Sequence, residues 1–394
     1  MITETIRLKT ADGATVSGVL RIPDRGAETV VTIMHPREDV THHSFVSHLT
    51  ELGVAVWTQG TRSVNNDIRL LHEQALLDVA AGQSFLADRK FESRVTLGHS
   101  GGATLFAFYQ QQARLPIYER LTEAPDGTTT DLGAADMPVP DGAIFVAPHP
   151  GQGILLQRVI DPSVVNESDP WLSDGDLDPY RPANGFRPAP EESRYSPDFI
   201  ERYRSAQVAR IRRIDELAQI AVQETHRMRA FASASGDANE RRRSLASNIM
   251  VVHRTDADLR SVDLTLDRND RPYGSLFGSR PDLGNFGFAG FCRITTPAAW
   301  MSTWSATTSR ANFVRNVAGV TSPALLVELT GDQACFPADA RDMYSSITAQ
   351  DKKHVRVAGT HFGGPLTQGG PTGTELAFQQ IARWLRERFS TAAV

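Results

Sequence analysis

The sequence predicts an α/β protein: a mostly parallel sheet with helices on both faces, interrupted by a large, mainly helical insertion. Short, nearly continuous apolar runs alternate with stretches of helical spacing over roughly the first 150 residues, and the same rhythm resumes near residue 322. The stretch between them is far too long for a loop, and its composition differs from that of its flanks.

"TETIRLKTADGATVSGVLRIP" reads as two alternating strands about an Asp12-Gly13 turn, an antiparallel hairpin. "ETVVTIMHP" is a near-continuous apolar strand, which suits burial on both faces. "SFVSHLTELG" gives a short amphipathic helix ending at Gly53, and "VAVWTQG" a second buried strand. "NNDIRLLHEQALLDVAAGQSFLADR" is helical by its apolar spacing, "RVTLGHS" is a third buried strand, and "GGATLFAFYQQQA" opens a helix at once. Further strands are expected at "DGAIFVAPHPG" (141–151), "SPALLVELTGD" (322–332) and "HVRVAGTHF" (354–362), with helices at "PADARDMYSSI" and "GTELAFQQIARWLRERF".

Inside the insertion, "ESDPWLSDGDLDPYRPANGFRPAPEESRYSP" is dense in Pro, Asp and Gly, as an irregular but ordered excursion would be. Ser196 as N-cap with Pro197 at the first helical position starts a long helix. Its apolar stripe is read through Phe199, Tyr203, Ala206, Ile214, Leu217 and Ala221, and its solvated face through Arg202, Arg204, Arg210, Arg212, Arg213, Arg227 and Arg229. The expected division is a first core segment 1–151, an inserted cap 152–318 and a second core segment 319–394.

Composition bounds the class of partner. The 394 residues are 40% hydrophobic and 22% charged, ordinary values for a soluble globular protein, and a net charge of −5 gives no reason to expect nucleic acid or an anionic membrane. Cys292 and Cys335 have neither metal nor redox spacing and read as reduced thiols, which fits a reducing compartment. The N-terminal "MITETIRLKTADG" lacks the apolar core of a secretory signal, and no run approaches the 18 apolar residues of a membrane span. A cytoplasmic protein acting on a small molecule is therefore expected, without nucleic acid or membrane as partner.

The chemistry is concentrated in "TLGHSGGAT". Gly98-His99-Ser100-Gly101-Gly102 matches G-x-S-x-G, with a buried strand before it and a helix after it. A serine on so sharp a turn is forced into a strained backbone, and small neighbours let strand and helix approach. Its hydroxyl then stands above the sheet, where the first N–H groups of the helix also face.

Over residues 1–150 and 320–394 the chain resembles the α/β-hydrolase fold family, in which a triad follows in the order serine, acid, histidine. The resemblance carries the acid to Asp332 in Gly331-Asp332-Gln333-Ala334-Cys335-Phe336-Pro337, and the histidine to His361 in Thr360-His361-Phe362. Ser100 would attack, His361 would take its proton, and Asp332 would orient the ring. An alternative for Asp332 is an N-cap of the following helix; Asp339 lies further into that helix. Gly101 N–H is one expected oxyanion donor. The second comes from the loop His35-Pro36-Arg37, where the family usually has His-Gly. Proline has no N–H, so this donor falls to Arg37 N–H, with His35 as loop-holder or pocket residue.

His99 adjoins Ser100, and neighbouring side chains around a tight turn point apart, so it reads as packing or pocket wall rather than base. His42, His43 and His48 read as solvated loop residues, since no carboxylate or cysteine completes a metal site beside them. Arg62 could clamp a substrate carboxylate or pair internally with Asp67 or another acid. His149 is a pocket candidate, and Trp300 and Trp304, four apart, could roof an apolar pocket or pack cap on core. These residues together imply a serine hydrolase of a carboxylic ester or lactone, with no metal or organic cofactor. Amide, thioester or carbon–carbon cleavage by the same triad, and a non-catalytic ligand-binding role, are the alternatives.

Overall fold

The computed structural model describes residues 1–391; residues 392–394, the end of the second expected core segment, lie outside the described residues. The hairpin strands β1 (Ile2–Lys9) and β2 (Thr15–Ile22) are joined by a turn in which Gly13 has φ +82°. Then come β3 (Thr29–Met34), helix α1 (Phe45–Glu51), β4 (Ala55–Gln59), helix α2 (His72–Asp88), β5 (Ser93–His99), helix α3 (Gly101–Arg114) and β6 (Gly142–Val146). The insertion carries helices α4 (Gln152–Val159) and α5 (Pro197–Ser235) and two short strands, β7 (Met250–Val251) and β8 (Ile294–Thr295). The chain returns to the sheet with β9 (Ala324–Gly331) and β10 (Lys352–Thr360), and a last helix spans Gly373–Arg386.

The eight-stranded sheet has the order β1-β2-β4-β3-β5-β6-β9-β10, antiparallel from β1 to β4 and parallel from there on. Successive side chains of a strand point to opposite faces, so each central strand feeds two cores. Ala143 and Phe145 of β6 join α2 and α3 on one face, while Ile144 and Val146 join α1 and the last helix on the other. Both faces are covered, and for that reason β3, β4 and β6 are buried at every position and read as unbroken apolar runs. This geometry brings the carboxyl ends of β3, β5, β6, β9 and β10 to one edge, the edge at which parallel α/β sheets present ligand sites.

In α5, Ser196 Oγ accepts the Phe199 N–H at 3.2 Å and Pro197 is the first helical residue. The buried stripe differs from the one expected by spacing. Phe199, Tyr203, Ile211, Ile214 and Ala218 face inward, whereas Leu217 is exposed. Arg210 is also buried, at 1% exposure, instead of lying on the solvated face. Its guanidinium is bound by Glu167 at 3.0 and 2.8 Å and by the carbonyls of Asp161 and His253.

Trp300–Trp304 follows a short helical turn as a π-turn closed by Ser305 N–H to Trp300 O at 2.9 Å. Among the described residues no helix is long and apolar enough to cross a membrane.

Candidate active site

Ser100 sits between β5 and α3 with φ +54° and ψ −120°, a conformation that costs a non-glycine residue energy and is held by its surroundings. Its N–H donates to Val146 O at 3.0 Å, tying the turn to β6. Two neighbouring glycines permit the close approach. A Cβ on Gly98 would lie 2.4 Å from Ala103 N, and one on Gly102 would lie 2.3 Å from Met34 O. Strand, turn and helix thus lock the Ser100 hydroxyl at the carboxyl edge.

β9 ends in a turn that Asp332 closes by accepting the N–H groups of Ala334 and Cys335 at 2.6 and 2.9 Å. Asp332 does not cap the helix Pro337–Ser346. Asp339 does that, accepting the Phe336 N–H at 3.2 Å. Asp332 instead faces His361, whose Nδ1 lies 2.9 and 2.8 Å from its two oxygens, and His361 Nε2 is 3.0 Å from Ser100 Oγ. Both Asp332 and His361 are buried. Burial of the ring disfavours its charged form, but the Asp332 charge and hydrogen bonds, helped by Glu38, outweigh it and raise the His361 pKa above the ordinary histidine value. The three residues named from the sequence are therefore brought together in one hydrogen-bonded line.

His99 points away from Ser100 Oγ and donates from Nε2 to the His361 carbonyl at 2.9 Å, so it braces the loop that carries the other histidine. His43, expected in solvent, packs edge-on against His99, with ring centroids 5.5 Å apart. Burial lowers its pKa to about 4.

The second oxyanion donor is a correction. Arg37 N–H is engaged by His35 Nδ1 at 3.2 Å, and Glu38 N–H by the same nitrogen at 3.0 Å. The His35-Pro36-Arg37 loop thus closes on its own histidine ring, which accepts both N–H groups. Two donors on Nδ1 leave the ring proton on Nε2. Burial first, then Arg37 and the neighbouring histidines, hold the His35 pKa well below the ordinary value, so the ring is neutral. His35 is thus both loop-holder and pocket residue. His149 also lines the pocket, its Nδ1 accepting the Gly151 N–H at 3.1 Å.

Arg62 does not reach the pocket. Its guanidinium and backbone N–H bind the buried Asp78, and it also pairs with Asp12 at 2.5 Å. Asp67, the partner suggested by the sequence, is held by Arg37 instead, at 2.7 and 2.6 Å. Trp300 and Trp304 do not roof the pocket either. Both are fully buried in the contact between the insertion and the core, and Trp300 Nε1 donates to Asp215 of α5 at 2.7 Å. The apolar lining comes instead from Leu155, Leu276, Phe277 and Phe291 of the insertion and from Phe362 beside His361.

The cavity above Ser100 has a volume of about 200 Å³. Sequence reasoning missed Gln152, which enters it from the start of α4; its signal was a polar residue directly after the strand-end loop "APHPG". Phe291 carried no comparable signal. A second hollow of about 420 Å³, between α5 and residues 68–74 of the core, holds none of these groups. Among the described residues no group of three or more His, Cys, Asp or Glu is arranged to hold a metal ion.

No family model and no curated protein matches the sequence. Among solved structures the chain is similar to DcsB in complex with its substrate analogue, at 11% identity and a TM-score of 0.53, covering 99% of this chain and 100% of that one. It also aligns with the alpha/beta hydrolase GrgF from Penicillium sp. sh18, at 12% identity and a TM-score of 0.49 over 99% of each chain. A third match is the esterase domain of a Rhodothermus marinus protein, at 11% identity and a TM-score of 0.46, covering 98% of this chain and 99% of that one. At such identities the likeness concerns the fold. With the strand order β1-β2-β4-β3-β5-β6-β9-β10, the serine turn after β5 and the helical insertion between β6 and β9, this chain has the α/β-hydrolase fold.

Proposed function

We propose that the protein is a serine hydrolase, of the carboxylesterase or lactonase class, which cleaves an ester bond of a small organic molecule through an acyl-enzyme on Ser100. The observation that carries this reading is the line Ser100 Oγ–His361 Nε2–Asp332 at 3.0 and 2.8 Å on the floor of a small, largely apolar cavity.

In the proposed reaction the Ser100 Oγ–carbonyl bond forms as the hydroxyl proton passes to His361 Nε2. Asp332 stabilises the imidazolium. The carbonyl π pair moves to oxygen, and Gly101 N–H at the start of α3 is the backbone donor for that charge. Collapse breaks the bond to the leaving oxygen, which takes the proton from His361. Water then repeats the sequence from the other side. His361 takes its proton, the acyl–Oγ bond breaks, and the acid leaves with Ser100 restored.

Labelling with a fluorophosphonate, together with turnover of an activated aryl ester, tests the reading. The wild type should label and turn over while Ser100→Ala does neither. A wild type that fails to label, indistinguishable from Ser100→Ala, sinks it.

A further inference from the structure

The nitrogen-lined side of the cavity holds more donors than a single oxyanion uses. His35 and His149 each accept backbone N–H groups at Nδ1, so in both neutral rings the proton sits on Nε2. Both Nε2 atoms converge on the bare face of Gly101. A Cβ there would lie 2.8 Å from Gln152 Nε2, 2.9 Å from His35 Nε2 and 3.4 Å from His149 Nε2. Glycine at this position lets the three side chains close in on its Cα, which gathers their nitrogens beside Ser100 in the wall of the cavity. Gln152 is 2% exposed; its amide makes no close hydrogen bond and has only the equally buried His72 ring as a polar side-chain neighbour, so it retains capacity for a ligand. A buried amide short of close hydrogen bonds favours a ligand oxygen that accepts from it.

Charge narrows what the acceptor is. The Arg37 guanidinium on the cavity wall is held in a fork by Asp67 and lies over the Trp304 ring at 4.9 Å, and Glu38 lines the same cavity. With its cation paired and a carboxylate beside it, the cavity suits an uncharged oxygen better than an anionic one. The lining also includes the apolar Leu155, Leu276, Phe277 and Phe291. Because these nitrogens gather beside one residue, oxygens that bind them lie close together on one side of the ligand. A folded 1,3-dicarbonyl presents its two oxygens in that way.

We infer that Gln152 and His149 form an acyl subsite for a second, uncharged carbonyl oxygen, so that the preferred substrates are esters of small 3-oxo acids, with His35 Nε2–H joining Gly101 N–H at the oxyanion. This rests on the Ser100 hydrolase reading, and the experiment separates the two. Phenyl acetoacetate and phenyl butanoate have acyl chains of equal length that differ by the 3-oxo oxygen, and kcat and KM are measured for both. In Gln152→Leu the ratio of kcat/KM for the oxo ester over the plain one falls about tenfold from its wild-type value, as expected for one lost hydrogen bond, with the change in KM. The near-isosteric Gln152→Glu, which replaces the donor by a carboxylate and serves should the leucine variant fold poorly, lowers the ratio at least as far. In His35→Ala, kcat falls about 100-fold on both esters and the ratio stays. A ratio unchanged in both Gln152 variants overturns the subsite, and continued turnover of phenyl butanoate then leaves the hydrolase reading in place. Fluorophosphonate labelling at Ser100 without turnover of either ester also overturns the subsite. Loss of labelling as well overturns the hydrolase reading itself.

Discussion

Strand β6 of the core sends Ala143 and Phe145 to one face of the sheet and Ile144 and Val146 to the other, each into a large cluster of apolar side chains. The insertion is built differently. Behind its helix α5, Arg210 meets Glu167, Arg204 meets Asp258, and Arg260 binds Asp258 and approaches Asp339 of the core at 3.7 Å. Burial opposes the ionisation of Glu167, yet Arg210 and Arg213 outweigh it and hold its carboxyl below the usual range. An apolar core tolerates many sequences of the right periodicity. A buried ionic network depends on particular partners, because one missing member leaves a charge out of water. The two parts of the chain should therefore fail in different ways.

The largest effect falls in the core. His361→Ala is expected to lower kcat on an activated ester by about 10⁴-fold or more, with little change in melting temperature, whereas His99→Ala costs about 10- to 100-fold through a loosened His361 loop. If His99→Ala proves the more damaging, the base has been misassigned.

Next comes the insertion, where stability responds first. Arg210→Ala leaves Glu167 buried without its main partner and should cost about 3–5 kcal/mol in urea unfolding. Leu217→Ser, exposed on the same helix, should cost less than about 0.5 kcal/mol. The opposite ranking would mean that the apolar stripe read from spacing, rather than the ion pairs, seats this helix.

A smaller effect concerns pH. In the proposed reaction His361 acts as a base only when neutral, and its pKa is raised, so the acid limb of kcat/KM should have its midpoint above 6.5, the ordinary histidine value. Asp332→Asn removes the cause of the rise and leaves burial, which acts the other way. The limb should move to lower pH as overall activity drops. A limb that stays put would detach Asp332 from the titrating histidine.

The same contrast explains what was legible in the sequence. Strands β3 to β6 could be read because burial on both faces writes unbroken apolar runs. Ser100 could be read because its G-x-S-x-G follows such a run, and Asp332 and His361 because each ends a core strand where the resemblance places the acid and the histidine. Arg37 N–H could not, since its fate depends on how the His35 ring turns within its own loop. Nor could the places of Trp300 and Trp304. Their four-residue spacing was plain, but the partner of Trp300, Asp215, is 85 residues away on α5, and the spacing does not show it. Arg210 was read as surface for a similar reason: periodicity reports where a residue lies on a helix, and not that Glu167 waits on that side.

The Arg37 guanidinium, held by Asp67 of the core, also lies over Trp304 and Phe291 of the insertion. Its backbone N–H is tied to His35. One residue thus touches the insertion with its side chain and the cavity wall with its main chain. The insertion is consequently not an interchangeable module. A chimera that exchanged it at the β6 and β9 junctions would strip the aromatic cover from Arg37 and leave His35 on an unsupported loop, so transplanting a new specificity onto this core requires the Arg37 contacts to be transplanted with it.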